Sequence, residues 1–330
     1  MIADILLSIL APILLMIGLG VLLQVKFRMD LNTLSKLNIY LFTPAFIFQN
    51  VYRSQLPWSN MAAVAGITTV QCVLLGLLVY GAGKALGVSR QTLAAVAMAV
   101  MFYNSGNYGL PLAELAYPTE PATVGVTGAA KNGAAVQAFV VMTMNVLTFT
   151  LGMGIAAYAG SGEWKQALWK ISQMPTLYGL VLAIFVRLWL QGDESRAFPM
   201  IFAKPIEYLS NGLVPMALIT LGAQLGSHPR WPRWKPIGAV LVLRLLLAPA
   251  IMAGMLYGFQ FLGYAPLSLW PWPAELLILT AAVPTAVNTL LLTMELKGDA
   301  VLAADCVFWT TVFSCFTITG WLVVLRMLAG

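Results

Sequence analysis

The sequence predicts an all-α integral membrane protein with ten transmembrane helices, two of them interrupted. Composition is the first observation that predicts this class. Of the 330 residues, 60% are hydrophobic and 9% are charged, whereas soluble domains carry about a quarter charged residues. The mean hydropathy is +0.85, and every polar stretch is too short to form a soluble domain. The composition therefore predicts a multi-pass protein of the cell (inner or plasma) membrane, with the lipid bilayer as its surroundings.

The length of the apolar segments is the second observation. A helix needs about 20 apolar residues to cross the hydrocarbon core. The predicted spans are residues 3–25, 31–52, 61–86, 92–117, 124–158, 168–190, 205–225, 236–262, 273–296 and 300–325. The fifth is longer than one crossing requires, so we expect it to include an interfacial turn.

The connections between the spans predict their orientation, because cytoplasmic connections carry an excess of Lys and Arg. The odd-numbered connections hold nine basic residues and the even-numbered connections hold three. The odd-numbered connections should therefore face the cytoplasm, which places both termini on the non-cytoplasmic side. This topology also explains the net charge of +6, so no nucleic-acid partner is expected.

The third observation is that two spans contain residues that do not continue a helix. Residues 104–111 (NSGNYGLP) interrupt the fourth span, and residues 284–289 (PTAVNT) interrupt the ninth. Gly and Pro are poor helix formers, and irregular backbone at membrane depth is tolerated only where it is buried in protein or lines a cavity. Corresponding interruptions in the two halves of a chain are the best sequence indication of a transporter's substrate site.

The interruptions belong to a weak internal repeat. Pro44 in the second span corresponds to Pro215 in the seventh, as the fourth span corresponds to the ninth. Because each copy holds five spans, an odd number, the second copy must enter the membrane from the opposite side. The sequence therefore predicts two inverted five-helix repeats, residues 1–160 and 161–330.

The two interruptions supply the candidate substrate-binding residues. Half-helix N-termini expose N–H groups and a partial positive charge that suit a carboxylate. Asparagine amides both donate and accept hydrogen bonds, Gly permits close approach of a ligand to the backbone, and Pro is tolerated in the first turn of a helix. The predicted substrate-binding residues are Asn104, Ser105, Gly106, Asn107, Gly109, Pro111, Pro284, Thr285, Asn288 and Thr289. The alternative is that the asparagines only cap the broken ends and that Pro284 is a simple kink.

Charged and amide side chains inside the spans form a second group of candidates, because such groups are costly in the bilayer and usually functional. The candidates for coupling or for the substrate path are Glu114, Lys131, Asp305, Gln71 and Gln137. A carboxylate would carry a coupling proton, and Lys131 would attract an anion; the alternative is an interfacial or paired side chain. Arg244 also lies within a predicted span.

Metal sites and catalytic sets are not expected. The single histidine, His228, lies in a connection, and the three cysteines lie in apolar segments without metal-ligand spacing. The carboxylates within the spans are scattered. We therefore predict no metal, no cofactor and no enzymatic activity.

Three segments, 104–112, 283–288 and 298–314, resemble stretches of the auxin efflux carrier family of membrane transporters in its bacterial form. The first is similar to the Asn-Thr-Gly-Asn-x-Gly-x-Pro signature of that family, with Ser105 in place of Thr. The resemblance implies ten helices in two inverted sets, with helices 4 and 9 broken and crossing, and a homodimer. It also implies a scaffold of helices 1, 2, 6 and 7, and a mobile transport domain of helices 3–5 and 8–10 that moves by an elevator mechanism.

The resemblance further implies a secondary active transporter for a small organic anion, such as auxin, malonate or malate. The main alternative is a sodium-coupled symporter of the bile-acid transporter type, which shares the crossed-helix plan. A passive channel is a further alternative, which flux far above carrier rates would identify.

Overall fold

The computed structural model describes residues 7, 11–53, 58–117, 133–152, 154–155, 175–190, 198–226, 233–263, 269, 272–295 and 298–328. In chain order the helices are α1 (Ala11–Phe27), α2 (31–52), α3 (Trp58–Ala85), α4 (Arg90–Met101), α5 (Gly109–Ala116), α6 (Gly133–Gly152), α7 (Pro175–Leu190), α8 (Met200–Gly226), α9 (Trp234–Phe261), α10 (Trp272–Ala281), α11 (Val287–Glu295) and α12 (Ala300–Leu328). Three of these helices include a π-helical turn: Asn38–Phe42 in α2, Thr148–Gly152 in α6 and Val242–Leu247 in α9. Parts of the predicted first, fifth and sixth spans lie outside the described residues.

Several helices are suited to a bilayer. Within the described ranges, α3, α6, α8, α9 and α12 are long and apolar enough to cross a membrane. α4 and α5 are the two halves of the predicted fourth span, and α10 and α11 are the halves of the ninth. The architecture is therefore that of a nearly all-helical, multi-pass membrane protein.

The seventh predicted span, 205–225, lies within a longer helix. The helix α8 starts at Met200 and runs through Pro205. Its first turn, Met200–Ala203, is apolar, and the charged pair of Lys204 and Glu207 follows, with 3.3 Å between the ammonium nitrogen and the carboxylate oxygen. A hydropathy window stops at such a charged pair, whereas an i, i+3 pair of opposite charges supports the helix.

The helices pack in two groups. In the first helix group (α1, α2, α7 and α8), α1 packs along α8 and α2 packs along α7. In the second helix group (α3–α6 and α9–α12), α3 contacts α4 and α6, and α9 contacts α10 and α12. The two groups meet where α2 contacts α6 and where α8 contacts α5.

Backbone contact between α1 and α8 depends on two glycines. A Cβ atom added at Gly20 would overlap the carbonyl oxygen of Ile219, and one added at Gly222 would overlap that of Ile17. Small residues allow membrane helices to approach this closely, and van der Waals packing then holds them together. The first helix group is therefore tightly joined along this pair.

The centre of the second helix group is the short helix α10. Every residue from Trp272 to Ala281 is buried, and α10 touches α5, α6, α9 and α12. Apart from Glu275 and Thr280 its residues are apolar, and a helix that is apolar on nearly all sides is expected to be surrounded by other helices. The interruption that follows α10 therefore lies deep inside the protein.

Candidate functional site

The two interruptions cross and hydrogen-bond to each other. The Asn104 N–H donates to the Pro284 carbonyl oxygen at 2.7 Å, and the Ala286 N–H donates to the Phe102 carbonyl oxygen at 2.9 Å. Both bonds belong to an antiparallel bridge between residues 103 and 285. Lipid offers no partners for these backbone groups, so each interruption satisfies the other.

Gln137 of α6 ties the two interrupted helices together. Its side-chain nitrogen donates to the Ser105 carbonyl oxygen at 2.8 Å, and its side-chain oxygen accepts from the Thr280 hydroxyl at 2.8 Å. The side chain is fully buried. A Cβ atom at Gly109 would lie 2.5 Å from the Gln137 amide nitrogen, so only glycine leaves room for this contact. Gln137, predicted on the substrate path, lies behind the crossing and holds it.

Two threonines stabilise the second interruption. The Thr285 N–H donates to the Thr310 hydroxyl oxygen at 3.0 Å, and the Thr285 hydroxyl donates to the Ala99 carbonyl oxygen at 2.8 Å. The Thr289 hydroxyl donates to the Ala286 carbonyl oxygen at 2.6 Å. Each hydroxyl proton is thus used within the protein, which gives Thr285 and Thr289 a structural position behind the crossing.

A cavity of about 70 Å³ lies on one side of the crossing, between the two helix groups. It has room for several water molecules, because one water needs about 10–15 Å³ of such space. Amide side chains surround it: Asn38, Asn104, Asn107, Asn145, Gln224 and Asn288. Within the described residues, no charged side chain lines this cavity. Any attraction for a charged ligand must therefore come from dipoles.

The N-terminus of α5 is closed by Asn104. The Asn107 N–H donates to the Asn104 side-chain oxygen at 3.1 Å. The N–H groups of Tyr108 and Gly109 donate to the Asn104 carbonyl oxygen at 3.3 and 2.9 Å. Asn104 therefore accepts three successive N–H groups of the turn that leads into α5, and that of Gly109 is the first of the helix.

The N-terminus of α11 is open by comparison. The first N–H groups of a helix have no carbonyl partner one turn earlier, and they carry a partial positive charge. In α11 these belong to Val287 and Asn288, and both residues line the cavity. Within the described part of the chain, no side chain caps these two N–H groups. The cavity therefore has a positive pole at α11.

Two buried amide atoms at the cavity lack a partner among the described residues. They are the side-chain nitrogen of Asn104, a residue 6% exposed, and the side-chain oxygen of Asn38, a residue 2% exposed. The other half of the Asn38 amide donates to the Thr220 hydroxyl at 2.8 Å. An unsatisfied buried polar atom costs about 1–3 kcal/mol, so both atoms favour a ligand or water in the cavity. The Asn104 donor and the α11 N-terminus together suit a carboxylate.

The structure separates the predicted substrate-binding residues into two sets. Five of them line the cavity: Asn104, Ser105, Gly106, Asn107 and Asn288. The others lie behind it, where Pro284 accepts the backbone bond from Asn104 and Pro111 is buried in the first turn of α5. Their contribution in the structure is to the backbone path of the interruptions.

Three of the predicted coupling residues, Gln71, Glu114 and Asp305, do not line the cavity. Gln71 is fully buried on α3, where its side-chain nitrogen donates to the Ala248 carbonyl oxygen of α9 at 2.8 Å. Asp305 is buried on α12, and Glu114 is exposed on α5. Lys131 lies outside the described residues. Within those residues, no group of three or more His, Cys, Asp or Glu side chains is placed to hold a metal ion.

The sequence reasoning missed four polar residues of the first helix group. Ser35, Asn38 and Thr43 of α2 and Gln224 of α8 all line the cavity, and the Gln224 side-chain nitrogen donates to the Ser35 hydroxyl oxygen at 3.3 Å. The available signal was a pair of polar side chains three residues apart in an apolar span, which share one helix face. The cavity is thus built by both helix groups.

An ion pair joins two connections outside the spans. Arg233, just before α9, donates to the Asp299 carboxylate at 2.7 Å. Partial burial acts to raise the pKa of Asp299, but hydrogen bonds from the Arg233 side chain and the Leu302 N–H outweigh it and lower that pKa. The pKa of Asp30, which caps α2, is lowered by hydrogen bonds from the Thr33 hydroxyl and the Asn32 N–H. Both carboxylates close a helix N-terminus.

Known proteins that are similar to this chain are described as membrane transporters. Residues 5–322 match the family described as "Membrane transport protein". The chain is 28% identical over 301 residues to an uncharacterized transporter of Methanothermobacter thermautotrophicus, which covers 90% of this chain and 89% of that protein. It is 27% identical over 293 residues to a candidate malonate transporter of Rhizobium meliloti, which covers 87% of this chain and 85% of that protein.

A plant protein shows a more local similarity. Protein PIN-LIKES 6 of Arabidopsis thaliana is 27% identical over 117 residues, which is 35% of this chain and 27% of that protein. The family match covers nearly the whole chain, including both interruptions. The resemblance carried by residues 104–112 and 283–288 is thereby confirmed, and the chain belongs to the membrane transport protein family, that of the auxin efflux carriers.

Proposed function

We propose that this protein is a secondary active transporter that carries a small organic anion through the cavity at the helix crossing. The observation that carries the proposal is the pairing of the open N-terminus of α11 with the buried, unpartnered amide nitrogen of Asn104. A helix N-terminus acts as about half a positive charge, and a hydrogen bond to a charged group is worth about 1.5–3 kcal/mol. A carboxylate would use both groups at once.

The polar but uncharged lining favours a carrier over a storage site. A fixed cation at the cavity would bind an anion tightly and slow its release, whereas dipoles and amides bind it moderately. The name of the Rhizobium meliloti relative refers to malonate, a small carboxylate. This agrees with the chemistry of the cavity, so mono- and dicarboxylates such as malonate and malate are the first substrates to test, together with aromatic carboxylates.

The proposal includes an inverted repeat of residues 1–160 and 161–330. The packing supports it, because the contacts of α3 with α4 and α6 correspond to those of α9 with α10 and α12. In the same way, the α1 and α8 pair corresponds to the α7 and α2 pair. In this scheme the first helix group is the scaffold and the second is the transport domain.

An elevator mechanism fits a cavity that both groups build. Asn38 and Gln224 belong to the proposed scaffold, whereas Asn104 and Asn288 belong to the proposed transport domain. If the transport domain slid along the scaffold, the crossing and its bound anion would move past Asn38 and Gln224 of the scaffold. With both termini on the non-cytoplasmic side, the cavity would face the cytoplasm, because Ser35 and Gln224 lie near the first and seventh connections. We propose a homodimer joined through the scaffold.

The decisive experiment is uptake of labelled malonate, malate and an aromatic carboxylate into proteoliposomes, with counterflow to separate a carrier from a channel. We expect one of these anions to exchange, and Asn104→Ala to lower its uptake at least about tenfold, because a charge-assisted hydrogen bond is lost. Asn50→Ala is the matched control, since Asn50 of α2 donates to the Phe46 carbonyl oxygen away from the cavity. Absence of flux for every anion, or equal rates in both variants, would contradict the proposal.

A further inference from the structure

Arg244 is buried at the crossing, and no carboxylate among the described residues pairs with it. It lies in the π-helical turn Val242–Leu247 of α9, and it is 0% exposed. A charged side chain inside the bilayer is costly and normally paired. Within the described residues, its guanidinium contacts are with carbonyl oxygens and an aromatic ring. Among the described residues, the groups that can balance the charge are therefore these carbonyl oxygens and the ring.

The contacts of Arg244 identify what balances it. One terminal nitrogen donates to the Val100 carbonyl oxygen at 2.8 Å, and the other donates to the Ala281 carbonyl oxygen. Val100 lies in the last turn of α4, and Ala281 is the last residue of α10. Arg244 therefore joins the C-terminal ends of the two half-helices that precede the interruptions.

The electrostatics of these ends match one cation. A helix C-terminus carries about half a negative charge, so two ends together balance about one positive charge. Without a cation, the two ends would repel each other in a low dielectric and would weaken the attraction of the cavity for an anion. The guanidinium also stacks 4.7 Å from the ring centroid of Tyr103, and Tyr103 lines the cavity. Tyr103 therefore contacts both the Arg244 guanidinium and the cavity that is proposed to hold the anion.

We infer that Arg244 is a built-in cation that neutralises both C-terminal ends, fixes the crossing, and replaces a dissociable metal cation, so that transport does not require sodium. This inference rests on the proposed transport function and decides against its sodium-coupled alternative. Arg244 is a positioning residue, because it acts on the cargo through the helix ends and Tyr103. The two open donors of α11 then remain available to the anion.

The first test needs no variant. Thermal stability and anion uptake of the wild-type protein are measured in sodium and in choline at equal ionic strength. The inference predicts the same melting temperature and the same uptake in both salts. Uptake that requires sodium would overturn the inference and leave the proposed anion transport intact. If no anion is transported at all, the proposed function fails, and the stability measurements still report on Arg244.

The second test compares Arg244→Lys with Arg244→Gln. Lysine keeps the charge, whereas glutamine keeps an N–H donor without the charge, on a shorter side chain. We expect Arg244→Lys to melt at a higher temperature than Arg244→Gln and to retain more uptake. Equal behaviour of the two variants would show that the charge is unimportant and would overturn the inference.

The third test is chemical rescue of Arg244→Ala. We expect its uptake to fall at least about tenfold, because removing one partner of a buried charged contact is strongly destabilising. Millimolar guanidinium should restore part of the uptake and raise the melting temperature, whereas urea, the neutral analogue of the same shape, should do neither. Arg326→Ala is the control, because Arg326 donates to the Ala116 carbonyl oxygen at the end of α5 and should show no guanidinium effect. Equal rescue by urea would show that Arg244 contributes packing and not charge, and it would overturn the inference.

Discussion

The starts of α5 and α11 occupy corresponding places in the two halves of the chain, but they differ in how their donors are used. Asn104 accepts hydrogen bonds from the N–H groups of Asn107, Tyr108 and Gly109 where α5 starts. Val287 and Asn288, which carry the first N–H groups of α11, line the cavity. At the C-terminal ends of the preceding half-helices, Arg244 joins α4 and α10. Of these four helix ends, the start of α11 alone has first N–H groups without a partner among the described residues. The difference teaches that two copies of one motif can use their helix dipoles differently.

The largest expected effect comes from Asn104→Asp. Aspartate keeps the oxygen that caps α5 but replaces the unpartnered nitrogen with a negative oxygen. Two unit charges about 4 Å apart repel by about 4 kcal/mol at an effective dielectric constant of about 20. Uptake of an organic anion into proteoliposomes should therefore fall at least about 100-fold. Uptake near the wild-type rate would show that the cargo does not approach Asn104.

A second substitution, Gly109→Ala, disturbs the start of α5. In Gly109→Ala the added Cβ would lie 2.5 Å from the Gln137 amide nitrogen, and overpacking of this kind costs about 1–3 kcal/mol. We expect a lower melting temperature and a weaker link between the two interruptions. Gly106→Ala is the matched control, because nothing lies within 4 Å of a Cβ at Gly106. If the control is destabilised as much as Gly109→Ala, steric exclusion at Gln137 is not the reason.

The number of negative charges on the ligand also tests the difference between the starts of α5 and α11. With one open helix N-terminus and no cationic side chain at the cavity in the described residues, the site is suited to one negative group. The monomethyl ester of malonate should therefore bind within about fivefold of malonate itself, because a second carboxylate typically gains about 0.3–1 kcal/mol from a helix dipole. Thermal shift with both compounds measures this. Binding of malonate that is stronger by a far larger factor would indicate a second positive group.

The smallest expected effect concerns the N-terminus of α12, which Asp299 closes. Its pKa is lowered in the folded protein, so its contribution to stability is present above the unfolded pKa of about 3.9. This contribution is lost as the pH falls through the lower, folded pKa. It should be less than about 1 kcal/mol, because the Arg233 pair is partly exposed to solvent. Melting temperatures measured between pH 6 and pH 3 should fall more for the wild type than for Asp299→Asn; parallel curves would contradict this.

Much of the site could be predicted because its chemistry is local. The interruption at 104–111 follows from Asn, Gly and Pro in one apolar span, and Asn104 was a candidate from residue type alone. The roles within the motif could not be predicted in the same way. Thr285 and Thr289 were candidates in sequence beside Asn288, but their hydroxyl groups bond to backbone carbonyls behind the crossing. Which side of an interrupted segment faces a cavity depends on its packing partners.

The sequence by itself determined that the chain enters a membrane, where its helices are interrupted and which family it belongs to. These properties depend on composition and on short motifs, which need no knowledge of distant contacts. Only the tertiary structure decided that Asn38 and Gln224 complete the cavity, that Arg244 joins two helix ends, and that α11 stays open. The physical reason is that hydrogen bonds between residues more than a hundred positions apart, such as that between Arg244 and Val100, exist only once the helices have packed.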